Sequence, residues 1–311
     1  IDSVNKIKVL NTVIIFGAIL TAQFVITHGG IGPGILYDEN DVGLVLTMLF
    51  PFTYFSISLY KGKIMKIITI IALLLVLFAI ARTLSRGAMV GILPTLFIIW
   101  MKSKHKIAVL IIMVVLVILT INFGPKELTS EFKSIQNTNE GTAGERRYFW
   151  ELSIEMFKKR PIFGVGAKGW GNAVWSGMIK LKRTVSNLTP HSIYFQLISE
   201  LGLFGIIAWV NLIFSSFKIT GFIRKKLKTL QMGSEEASYS HEDIKICDSF
   251  NNSLTVGMVG GLICGLFLSY LYYSHLYFYV AFIQVLYLNL HKISIAADTA
   301  EEEGDVAISA G

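Results

Sequence analysis

Ile67-Ile68-Thr69-Ile70-Ile71-Ala72-Leu73-Leu74-Leu75-Val76-Leu77-Phe78-Ala79-Ile80-Ala81, closed by Lys66 before it and Arg82 after it, carries no charge. A helix needs about 20 mostly apolar residues, within a range of roughly 17 to 25, to cross the hydrocarbon of a bilayer. Residues 67–82 therefore read as a membrane span, and comparable stretches recur on both sides: 9–27 and 41–60 before it, 86–100 and about 106–123 after it, then about 192–222. A last apolar stretch from about residue 252 is long enough for two more spans turning near 272–275, which brings the expected number to eight.

Composition supports the same class. Of 311 residues 53% are hydrophobic and 16% charged, whereas soluble domains carry about a quarter charged residues; mean hydropathy is +0.60. The fold expected is an all-α integral membrane protein with about eight transmembrane helices and one large extracytoplasmic loop containing an amphipathic helix. The chain opens on Ile1 without a basic, cleavable leader, so it reads as a fragment whose N-terminal helices are missing. Cys247 sits in a polar stretch and Cys264 in an apolar one, which argues against a disulfide between them.

A net charge of +7 in a soluble protein would suggest nucleic acid, but here the cations flank spans and set orientation. Nucleic acid is excluded as a partner on that ground. Lys6/Lys8, Lys61/Lys63/Lys66, Lys102/Lys104/Lys106, Arg224 to Lys228, and Lys292 fall on one side of an eight-span layout, and the positive-inside rule makes that side cytoplasmic. The expected organisation is five spans in 1–123, an extracytoplasmic catalytic loop over 124–190, three spans over 191–291 interrupted by a cytoplasmic loop near 224–250, and a disordered acidic tail over 292–311.

The polar interval holds the chemistry. Thr142 and Glu145 fit a capping box that starts a helix, and Pro161 ends it. Phe149, Leu152 and Met156 recur on one face, suited to the membrane or the other spans. Arg146 and Arg147 stand at the N-terminal end, where a cation is disfavoured by the helix dipole unless an anion joins it. Two guanidiniums beside free backbone amides form a receptor for phosphate oxygens; a solvated charge pair is the plain alternative.

Next, Pro161-Ile162-Phe163-Gly164-Val165-Gly166-Ala167-Lys168-Gly169-Trp170-Gly171 lets backbone approach a ligand closely at Gly164 and Gly166, without the Gly-Lys-Ser/Thr of a nucleotide loop. Seven basic residues and no acidic one lie between Met156 and Ser199, among them Lys168. His191 follows Thr189 and Pro190, which read as the cap and first residue of the sixth span, and an imidazole held there among cations is a candidate base. Arg86, at the turn between two spans, is a further functional candidate, whereas Arg82 reads as snorkelling. Asp38, Glu39 and Asp41 could meet a divalent cation, but helix capping explains them more simply; no metal site and no cofactor are expected.

Leu84-Ser85-Arg86-Gly87, Arg146 four residues before Trp150, Pro161-Ile162-Phe163-Gly164-Val165-Gly166, and His191-Ser192 followed by Glu200-Leu201-Gly202-Leu203-Phe204-Gly205 occur here in a fixed order. Together they resemble the O-antigen ligase and O-antigen polymerase family of bacterial membrane glycosyltransferases, over roughly residues 35–215. The resemblance implies a glycan donor on undecaprenyl pyrophosphate and a catalytic set of His191, Arg86 and Arg146. Arg147, Lys168, Gly164, Gly166, Asn40 and Glu200 are then expected around the substrate, Asn40 and Gly43 matching a looser Asn-x-x-Gly feature.

It implies a metal-independent, inverting-type enzyme of the cytoplasmic membrane, with its site on the extracytoplasmic face and a glycan, lipid A core or protein hydroxyl as acceptor. Independently of any family, a pyrophosphate leaving group wants fixed cations and an attacking hydroxyl wants one base, with no nucleotide site. The competing reading is a polysaccharide transporter or flippase; it would favour ionisable or helix-breaking residues at mid-membrane and repeated halves, and neither is evident. A non-catalytic scaffold is the third reading, in which the external cations would be replaceable.

Overall fold

A computed structural model describes residues 3–107, 109–111, 114, 142–181, 189–232 and 239–290, which form helices and connecting loops with no strand among them. The first four helices are α1 (Val4–Thr27), α2 (Glu39–Ser56, prolonged by a 3-10 turn at Ile57–Leu59), α3 (Lys63–Arg82) and α4 (Arg86–Lys102). After the interval come α5 (Thr142–Lys159), the short α6 (Trp170–Trp175), α7 (Ile193–Gln231), α8 (His241–Cys264) and α9 (Ser274–Leu290). The tail expected over 292–311 and most of the span expected over 106–123 lie outside the described residues.

Among the described residues, four helices are long and apolar enough to cross a membrane: Val4–Thr27, Glu39–Leu59, Lys63–Arg82 and Ile193–Gln231. The apolar helix Ser274–Leu290 is shorter, and α4 has 17 residues. Outward faces are apolar, as with Val9, Val13, Phe16, Ile71 and Phe78; a surface of that kind needs lipid against it.

At the centre, α8 packs against α2 and α4. Small residues permit the approach: a Cβ at Gly257 would lie 2.4 Å from the Met48 carbonyl oxygen, and one at Gly91 would lie 2.2 Å from Cys264 Sγ. Tyr279 Oη of α9 donates to the same Met48 carbonyl at 2.5 Å, and Tyr270 Oη donates to the Gly261 carbonyl at 2.7 Å. The glycine stripe is thus a helix-packing face.

One end of the bundle collects the cations. Lys8 of α1 and Lys61 of the α2–α3 turn both donate to Glu242 in the first turn of α8, at 3.1 and 3.2 Å. Lys102, at the end of α4, donates to Asn252 at 2.6 Å. A polar loop was expected from 224 to about 250, yet α7 continues through Gln231 and α8 begins at His241. Ser240 and Asp243 close a capping box there, so the helix starts well before its apolar portion.

The other end carries α5, α6 and the loops. The apolar face of α5 was assigned either to the membrane or to the spans; Phe149, Leu152 and Met156 instead form a small core with Trp170, Ala173 and Ile179 of the following segment. Trp150 stacks on Phe195 of α7 with ring centroids 4.8 Å apart, which fixes α5 against the bundle.

Candidate active site

Asp38 caps α2 by accepting from the Asn40 amide at 2.7 Å. The Asn40 side chain then receives a hydrogen bond from Ser85 Oγ at 2.9 Å, and Ser85 in turn caps α4 by accepting from the Ala88 amide at 3.2 Å. Gly43 lies one helical turn further on, where a Cβ would stand 2.8 Å from that of Ala88. Asn40 and Gly43 therefore dock α2 onto the α3–α4 turn, and this places Arg86 at the first position of α4, where the dipole already favours an anion.

The turn bearing Arg86 abuts the loop that follows α8: a Cβ at Gly87 would touch Phe267 and Leu268 at 3.5 Å. That loop holds the histidine's segment. The Ile193 amide donates to the Gly265 carbonyl at 2.9 Å, Ser192 Oγ donates to the same carbonyl at 3.4 Å, and the Ser192 amide donates to Ser269 Oγ at 3.3 Å. Consequently α7 starts at Ile193 with Ser192 as its N-cap, not at Pro190 capped by Thr189. Pro190 serves elsewhere: its carbonyl accepts from Trp150 Nε1 at 3.0 Å.

His191 adopts a left-handed backbone, φ 46°. Its Nε2 lies 3.1 Å from Thr189 Oγ1, and its ring is 6.0 Å from that of Phe149. Burial pushes the imidazole pKa below the ordinary value, and the Arg146 cation pushes it further down; the carboxylates of Glu145 and Asp38 oppose that shift. The ring is thereby favoured in its neutral, proton-accepting form. The charged residues at the N-terminal ends of α5 and α2 are thus within electrostatic reach of the imidazole.

The glycine loop has a different partner from the one its composition suggests. Val165 and Gly166 amides donate to the Ser199 and Glu200 carbonyls, both at 2.9 Å, and Leu203 and Phe204 amides donate back to Pro161 and Ile162 carbonyls at 2.8 and 3.1 Å. These four bonds interlock residues 161–166 with a break in α7 at Gly202 (φ 62°, ψ −160°). A Cβ at Gly164 would meet the Glu200 carbonyl carbon at 2.4 Å, and one at Gly202 would meet the Gly164 nitrogen at 2.6 Å. Gly164 thus brings backbone against backbone, while Gly166 has open space where a Cβ would stand.

Glu200 is buried and accepts from the amides of Lys168 and Trp170 at 3.1 and 3.4 Å, and from Gln196 Nε2 at 3.4 Å. The Tyr272 hydroxyl accepts from the same Lys168 amide at 3.3 Å, and the Glu200 carboxylate beside it helps burial hold the phenol protonated. Lys168, itself left-handed (φ 55°), sets its ammonium 5.9 Å from the centre of the Tyr272 ring. Arg147 is exposed on α5, next to Arg146.

Residues 71–210 match a family model described as O-antigen ligase. Over that segment the chain is similar to the O-antigen ligase family. The matched segment runs from the middle of α3 into α7 and contains Arg86, Arg146, Arg147, Gly164, Gly166, Lys168, His191 and Glu200, but not Asn40. Among curated proteins no sequence gives a significant match.

Beyond the residues expected, groups outside the matched segment buttress this end of the bundle. Tyr273 Oη donates to Asp41 Oδ2 at 2.7 Å, and the Leu271 amide donates to Gln196 Oε1 at 3.3 Å, so the loop before α9 ties α2 to α7. The roles of Tyr272 and Tyr273 depend on distant partners that no local pattern reveals. His275, in the first turn of α9, has a buried Nδ1 without a hydrogen-bond partner.

Proposed function

We propose that the chain is a membrane glycosyltransferase that moves or polymerises a glycan from an undecaprenyl-pyrophosphate donor onto an acceptor hydroxyl in surface polysaccharide assembly. The observation that carries this reading is His191, a half-buried imidazole favoured in its neutral form, facing an arginine on the first turns of α5 and docked through loop 265–269 beside the arginine that opens α4.

In this reading Arg86 and Arg146 hold the pyrophosphate oxygens. His191 takes the proton of the acceptor hydroxyl as its oxygen bonds the anomeric carbon, while the bond from that carbon to the pyrophosphate oxygen breaks. Undecaprenyl pyrophosphate leaves as an anion, its charge met by the arginines and the helix ends, so no acid is required and displacement inverts the anomeric centre. Fixed cations fill the role that a divalent metal plays in other pyrophosphate chemistry. Lys168 and Arg147 extend the positive surface, Gly166 leaves room beside it, and Asn40, Gly164 and Glu200 hold the frame. A glycan, lipid A core or protein hydroxyl can serve as acceptor.

In this reading the site lies on the extracytoplasmic face of the cytoplasmic membrane, formed by the α3–α4 turn with Arg86, the part of the loop 124–190 that carries Arg146, and His191 just after it. The support is that Lys8, Lys61 and Lys102 gather at the opposite end of the bundle.

The test is purified full-length protein in proteoliposomes with a lipid-linked glycan donor and a hydroxyl acceptor. A new glycosidic bond and released undecaprenyl pyrophosphate are expected. Arg86→Lys and Arg146→Lys keep the charge but lose the planar fork, and each should slow transfer by about tenfold or more. Wild-type rates in both variants would refute the arginine assignment. Movement of donor across the bilayer with no new bond would favour the flippase reading instead.

A further inference from the structure

The interlock between residues 161–166 and α7 fixes two exposed aromatic residues side by side. Phe163 is 69% exposed and Phe204 67%, with ring centroids 5.9 Å apart. Ile162 and Leu203 flank them, both more than half exposed. This patch continues directly into the outward face of α7, where Ile207, Val210 and Phe214 are also exposed. Since α7 is one of the helices long and apolar enough to cross a membrane, that outward face is where acyl chains lie.

Depth follows from length. From Leu203 to Arg224, the first of the cations that end the apolar part of α7, a rise of ~1.5 Å per residue gives ~32 Å, close to the ~30 Å of bilayer hydrocarbon. With Arg224 at one boundary, Leu203 and Phe204 fall at the other, and the interlock holds Ile162 and Phe163 at the same level. On the polar side of the patch, Lys158, Lys159 and Arg160 are all exposed. Apolar side chains at the hydrocarbon edge with basic ones beside them is the chemistry of an interfacial membrane contact.

We infer that Ile162 and Phe163 form a membrane wedge: together with Leu203 and Phe204 they insert into the leaflet on the histidine's side, with Lys158 and Arg160 at the level of the phospholipid phosphates. The wedge anchors the segment that carries Lys168, and so sets the height of the site above the acyl chains. It rests on α7 crossing the bilayer and does not depend on the chemistry at His191.

The experiment places a nitroxide label at Phe163→Cys, and separately at Phe204→Cys, in full-length protein reconstituted in phosphatidylcholine vesicles containing phosphatidylglycerol. The native Cys247 and Cys264 are buried, so labelling of the unsubstituted protein gives the background. Collision with oxygen and with a water-soluble nickel chelate is then measured. Labels at both positions should show an oxygen-to-nickel ratio several-fold above that of a label at Lys158→Cys. Preferential collision with the nickel chelate overturns the wedge, and so does screening from both reagents, which would mean a protein partner covers the patch. A label at Phe214→Cys keeps the two ideas apart: lipid-like behaviour there with a water-exposed Phe163 label defeats the wedge alone, whereas a water-exposed Phe214 label defeats the span itself.

Discussion

His191 sits in a left-handed conformation that costs a non-glycine residue about 1–2 kcal/mol, and the bonds of Ser192 and Ile193 to the loop after α8 hold it there. Glycine adopts that backbone without strain. His191→Gly should therefore insert and accumulate like wild type while transfer falls by about 10²- to 10⁴-fold, the range for loss of a general base; transfer at the wild-type rate in the vesicle assay would remove the histidine from the chemistry. The pH profile gives a second check. Burial and Arg146 hold the imidazole below its ordinary value, so the base form persists at neutral pH and is lost only as pH falls through that lowered value. The acid limb of the rate profile should lie below about pH 6.5, the unperturbed value. It should move up in Arg146→Gln and stay in place in Arg146→Lys, and an acid limb unmoved in Arg146→Gln would show that the arginine's field does not reach the ring. The histidine itself was legible in the sequence, from its basic and glycine-rich surroundings. Its backbone was not, because Thr189-Pro190 mimics a helix start and the competing bonds come from residues 265 and 269.

Among the elements, α7 is 39 residues long, which at ~1.5 Å per residue makes ~58 Å, nearly twice the hydrocarbon thickness. It is broken at Gly202, and the break exposes backbone groups that residues 161–166 satisfy. The sequence shows both glycine-bearing motifs but not that they pair, since hydropathy and turn signals carry no information on long-range backbone bonding. Gly202→Ala combines a backbone (φ 62°, ψ −160°) that is essentially reserved for glycine, at a strain of about 1–3 kcal/mol, with a Cβ 2.6 Å from the Gly164 nitrogen. Its thermal unfolding midpoint in detergent should fall by several degrees, and a midpoint equal to wild type would rule out the interlock. Glu200 invites a catalytic reading because a buried carboxylate near a base is often functional, yet its oxygens are engaged by the Lys168 and Trp170 amides. Removing it strands those donors, at about 1–3 kcal/mol for each one left buried and unsatisfied. Glu200→Gln should keep most of the transfer rate, whereas Glu200→Ala should lose stability and rate together. Equal loss in both variants, with folding intact, would mean that the carboxylate acts on substrate.

At the scale of the whole molecule, apolar runs and basic clusters together were enough to place most described helices, because hydropathy and charge flanks are local properties. The centrality of α8 was not legible: Asn251, Asn252 and Ser253 are buried within it and make its first half read as a loop. What the structure adds is a physical sorting of the two ends. Lys8, Lys61 and Glu242 meet at one, while Arg146 and Asp38 act electrostatically on His191 at the other, and the proposed mechanism requires its lipid-linked donor on the side away from the cytoplasm. Orientation is therefore the condition on which the glycosyltransferase reading stands. Two exposed positions report it directly: Trp175, 80% exposed beside the site, and Lys61, whose side chain is 89% exposed at the basic end. With both native thiols buried, a membrane-impermeant maleimide applied to intact cells, or to spheroplasts where an outer membrane blocks access, should label Trp175→Cys and spare Lys61→Cys. Opening the cytoplasmic membrane should then make Lys61→Cys reactive. Labelling of Lys61→Cys before that step, with Trp175→Cys protected, would put the arginines and His191 in the cytoplasm, out of reach of an exported donor, and would end the mechanism whatever the residue-level variants show.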